Sequence, residues 1–123
     1  MNLNEYPQAI AKLQTQATNF DLAIDQTQTV LKQIESEIDS AMPAAGVAIA
    51  FDTTLKNDAQ RKAKRSELLD EHPNYWEQQE ILAQAKAKRE AVFIELCLRR
   101  NEFSVLKLER REAIARLELQ AQA

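Results

Sequence analysis

The sequence predicts an all-α protein: a long antiparallel helical hairpin of coiled-coil type with a short connecting helix, dimerising into a four-helix bundle. Three observations lead there. One Gly and three Pro among 123 residues are too few to punctuate a many-stranded sheet. Apolar residues near the N-terminus recur in alternating steps of four and three. And Tyr75 to Leu119 holds no Gly or Pro and is rich in Ala, Leu, Glu, Lys, Arg and Gln, the strong helix formers.

Composition bounds the rest. The chain is 45% hydrophobic, too apolar for compositional disorder, and 28% charged. Its length suits one elongated helical domain over residues 1–123, with helices at about 4–41, 58–70 and 74–120 and a linker at 42–57. A long helix has only a stripe to bury, so a partner chain is expected. The formal net charge of −3 supplies no global basic field. The charge is uneven, with Lys12, Lys32 and Lys56 facing eight carboxylates in residues 1–60 and a slight basic excess in the remainder. The halves attract, which suits the first helix lying antiparallel on the third.

In the first helix Tyr6, Ile10, Leu13, Ala17, Phe20, Ile24, Thr27, Leu31, Ile34, Ile38 and Ala41 form a heptad seam among polar neighbours. Asn4 is the expected N-cap, with Pro7 in the first turn, where a missing N–H is harmless. Pro43 and Gly46 end the helix. Val47, Ile49 and Phe51 then alternate with alanines, as either a short paired strand or a loop over the end of the bundle. The second helix starts at an Asn57 or Asp58 cap and carries a thin apolar stripe. Glu71-His72-Pro73 breaks it, and Pro73 opens the third helix. His72, the sole histidine, reads as a boundary capping residue.

The third helix carries two stripes. Tyr75, Leu82, Phe93, Leu96, Phe103, Ile114 and Leu117 are expected to face the first helix. Ile94, Leu98, Val105 and Leu108, continued by Leu119, lie close to half a turn away. No element remains to cover them, so they are the expected oligomer face, with a dimer the simplest closure.

Asn57-Asp58, Arg61-Lys62, Leu68-Leu69, Pro73-Asn74-Tyr75 and Arg100-Asn101-Glu102-Phe103-x-x-Leu106 together resemble short helical accessory proteins of phages and prophage-like mobile elements. The resemblance spans roughly residues 52–108. It implies an accessory role near DNA recombination or replication and carries no catalytic residues.

Sites for chemistry are sparse. There is no Cys-x-x-Cys, no Glu-x-x-His pair and no Gly-rich phosphate loop, so neither enzyme activity nor a metal or cofactor is expected. Cys97, among Val92, Phe93, Ile94, Leu96 and Leu98, reads as a small buried apolar side chain. Pairs such as Glu95 and Arg99 mark a solvated helix face. Arg61, Lys62, Lys64 and Arg65 form a basic run with no acid inside it, with Lys86, Lys88 and Arg89 as a second cluster. These are candidate nucleic-acid or anion contacts, with Tyr75 and Trp76 able to stack on bases. Acids nearby and in the first helix compete for the same cations, and Trp76 alternatively packs where the second and third helices meet. With no leader-like start and no apolar run near about 20 residues, a cytoplasmic protein away from membranes is expected. The expected function is a self-associating, non-catalytic adaptor that binds another macromolecule, with direct nucleic-acid binding through residues 61–65 as the alternative.

Overall fold

A computed structural model describes residues 1–42 and 58–122. Among these residues the protein is all-helical, with no strand: a 3₁₀ turn at Leu3–Glu5 leads into α1 (Tyr6–Ala41), followed by α2 (Asp58–Glu71) and α3 (Tyr75–Gln122). The expected strand or loop around Val47, Ile49 and Phe51, the Gly46 turn and the Asn57 cap lie outside the described residues. The long helix packs against another, and the chain divides into two compact units to which α1 and α3 both contribute.

The first unit joins Met1–Asp21 to Lys86–Ala123. Asn2, rather than Asn4, caps the opening turn. Its side chain accepts from the Asn4 N–H at 3.0 Å, while Glu5 reaches back to the Asn2 N–H at 3.1 Å. This reciprocal box satisfies two orphan donors, which Asn4, with Pro7 three residues on, cannot reproduce. Tyr6 is buried and stacks on Phe103 with ring centroids 5.6 Å apart. At the other end Arg89 Nε donates to Asp21 Oδ1 at 2.9 Å. Tyr6 opposite Phe103 and Asp21 opposite Arg89 make the two segments antiparallel. Leu13 and Leu96 supply the buried aliphatic contribution, each worth about 2 kcal/mol.

The second unit is Leu22–Ala85. Ile34 and Ile38 of α1 pack with Leu69 of α2, and Leu68 and Tyr75 close around them. Thr27 is tolerated in the buried seam because its hydroxyl donates to the Ala23 carbonyl at 2.8 Å, leaving no polar atom orphaned. Arg65 Nε donates to Asp39 Oδ1 at 2.8 Å. Between α2 and α3, His72 Nδ1 accepts the Asn74 N–H at 3.2 Å, and Nε2 faces Glu37 Oε2 at 3.7 Å. Pro73 lies in this turn rather than inside α3, whose first turn is held by Gln78 N–H donating to the Asn74 carbonyl.

The α1 seam follows the heptad. Tyr6, Leu13, Thr27, Leu31, Ile34 and Ile38 are buried and the positions between them partly so, save Ala41, which is exposed. On α3 the seam differs from the apolar stripe that the sequence suggests. Its covered seam runs through Tyr75, Gln78, Leu82, Ala85, Arg89, Val92, Leu96, Arg99, Phe103 and Leu106, again in steps of three and four, with Gln79, Cys97 and Glu102 half-buried beside it. Phe93, Ile114 and Leu117 are exposed instead. Phe93 falls one residue past the seam and packs under the Arg89 guanidinium, 5.5 Å from its ring centroid. Ile114 and Leu117 belong to the segment 107–122, every residue of which is exposed.

Candidate functional site: an exposed helix face and a basic segment

Ile94, Leu98, Val105 and Leu108 all project from α3 away from its covered seam. They are between 51% and 62% exposed, a large apolar area to leave wet. Each stands two residues past a covered position, as Ile94 does past Val92 and Leu98 past Leu96. Two steps at about 100° place the faces about 200° apart. The exposed face continues the same heptad through Ala87, Ala91, Asn101, Ala115 and Leu119, all exposed. Small or polar residues do not raise an apolar stripe, so the heptad spacing from Ile94 is the signal that finds the alanines and Asn101. Cys97, half-buried and unpaired, lies on the flank of this face.

Beside the face sits a polar network. The Tyr6 hydroxyl donates to Glu102 Oε2 at 2.7 Å, and Arg99 reaches Glu102 at 3.3 Å and Glu95 at 3.7 Å. The Tyr6 hydroxyl holds the Glu102 carboxyl below its ordinary value of 4.5, against partial burial and with help from Arg99. The same hydrogen bond raises the Tyr6 hydroxyl above 10.0. Lys107 Nζ stands 4.5 Å over the Phe103 ring on the other side. Met1, Tyr6, Asn101, Glu102, Val105 and Leu106 border an open groove of about 480 Å³.

The basic residues fall into separate units: Arg61, Lys62, Lys64 and Arg65 in the second, Lys86, Lys88 and Arg89 in the first. Arg65 is committed to Asp39, whose hydrogen bond makes the guanidinium still harder to deprotonate. Arg89 is committed to Asp21. Lys64 Nζ lies 3.7 Å from Glu67, and Arg61 is half-buried. Lys62, Lys86 and Lys88 are exposed and make no ion pair among the described residues. Asp39 and Asp58 share with Arg61, Lys62 and Arg65 the lining of an open groove of about 250 Å³, which dilutes the positive field there. Trp76, expected either to stack on bases or to pack between α2 and α3, is 59% exposed and meets the Tyr75 ring edge-on at 5.2 Å.

Among the described residues no group of three or more His, Cys, Asp or Glu is placed to hold a metal ion, and no helix is long and apolar enough to cross a membrane. No family model matches the chain, and no curated protein or solved structure matches it.

Proposed function

We propose that this protein is a non-catalytic coiled-coil adaptor that self-associates as a dimer through the exposed face of α3 and holds another macromolecule. The observation that supports it is the second apolar heptad, Ile94, Leu98, Val105 and Leu108, open to solvent opposite the covered one. An isolated helix gains nothing from a second apolar stripe; a helix between two neighbours needs one. On the resemblance of roughly residues 52–108 to phage accessory helices, we assign the partner to a mobile-element DNA process. The test is Leu98→Glu or Val105→Glu, read by sedimentation and circular dichroism. The expected outcome is a helical protein with its self-association lost; an unchanged assembly would remove this face from the account.

Exposed Trp76 favours a second reading, direct nucleic-acid binding with Lys62, Lys64 and Arg61. That reading requires affinity for DNA that falls steeply with salt and is lost in Arg61→Glu/Lys64→Glu. Anisotropy titrations against single- and double-stranded DNA measure it, and salt-insensitive or absent binding ends it.

A further inference from the structure

We infer that the occupant of the exposed α3 face is a second copy of the same helix running antiparallel, with the twofold axis passing between residues 99 and 100. This rests on the self-association proposed above and adds the orientation and register, which the charges flanking the face decide.

In a parallel, in-register pair each side chain meets its own copy or the flanking position one heptad step along. Glu90 then lies beside Glu95 of the second copy, and Arg111 beside its Arg116. Glu112, a position of the face itself, stacks on the second Glu112. Like charges at flanking positions and inside the seam both oppose that pairing. Asn101 against Asn101 and the like apolar layers at Ile94, Leu98, Val105 and Leu108 favour it, but they do not offset the like charges.

The antiparallel pairing about residues 99 and 100 reverses this. Leu98 layers against Asn101 of the second copy, Ile94 against Val105, and small Ala91 against large Leu108. Glu112 moves opposite Ala87, between Lys86 and Lys88. On the flanks Glu90 meets Arg111 and Lys88 meets Glu109, each twice by symmetry. All four are exposed on α3 and make no ion pair among the described residues, so their charges are uncommitted. The one like-charge contact, Glu95 with Glu102, is already compensated within the chain, since Arg99 bridges both carboxylates and Tyr6 donates to Glu102. Because the covered and exposed faces are about 200° apart, the two α3 helices pair in the middle, each carrying its own α1 segment on the outer side.

Charge reversal separates the orientations. In the antiparallel pair Glu90→Arg places like charges at two sites and weakens dimerisation by roughly tenfold at low salt. Glu90→Arg/Arg111→Glu restores both pairs and returns the affinity to that of the unmodified chain. In the parallel pair Glu90→Arg instead tightens association, because it faces Glu95. A spin label at exposed Ala113, introduced as Ala113→Cys in Cys97→Ser, gives a second readout. Antiparallel pairing separates the two labels by about 40 Å along the axis, whereas parallel pairing holds them within roughly 20 Å. Weakening, rescue and the long separation support the inference. Tightening by Glu90→Arg or the short separation overturns the orientation while leaving self-association standing. A monomeric unmodified chain overturns self-association itself.

Discussion

At the scale of single residues, the contact among Tyr6, Glu102 and Arg99 couples folding to pH. Glu102 is shifted down, so the folded state favours its charged form. That contribution is complete above the ordinary value of 4.5 and is lost as pH falls through the lowered one. Tyr6 is shifted up, so its contribution is complete below 10.0 and is lost as pH rises through the raised value. Melting temperature against pH should therefore hold a plateau and fall at both ends. Tyr6→Phe keeps the stacking on Phe103 but removes the donor. It should lower the plateau and flatten both falls, measured by circular dichroism melts. A variant whose pH profile overlays that of the unmodified chain would show that the hydroxyl does not couple to Glu102.

At the scale of elements, apolar packing outweighs the ion pairs. Leu69→Ala opens the cluster with Ile34 and Ile38 and should cost about 2–3 kcal/mol by urea denaturation. Asp39→Ala removes an exposed partner of Arg65 and should cost under about 1 kcal/mol. Equal losses would mean that electrostatics, rather than the cluster, holds α2 on α1. The same contrast explains what could be read from the residues alone. The α1 seam is legible because large apolar residues occupy most of its heptad positions, and its one buried polar residue, Thr27, folds its hydroxyl onto its own backbone. The α3 seam was only partly legible, because Gln78, Arg89 and Arg99 hold positions that apolar counting passes over. Arg89 is half-buried in the seam with its guanidinium on Asp21, and that guanidinium lies over the partly exposed Phe93 ring. The general attraction between an acidic first helix and a more basic remainder was readable; that Asp21 and Asp39 would be the partners required the register. Ile94, Leu98, Val105 and Leu108 are readable as a face from their apolar side chains, and Asn101 and the alanines that extend it only from the heptad spacing that runs through Ile94.

At the scale of the whole molecule, one long helix presents two apolar heptads and the described chain covers one of them. The proposed self-association rests on the remaining face. In the proposed dimer, the polar position at Asn101 and the flanking charges would restrict which helices can pair with this face. The most direct measurement is sedimentation equilibrium of the unmodified full chain across micromolar concentrations at moderate salt. The expected result is a reversible dimer that Leu98→Glu converts to a helical monomer. A well-folded monomer at every concentration would contradict it.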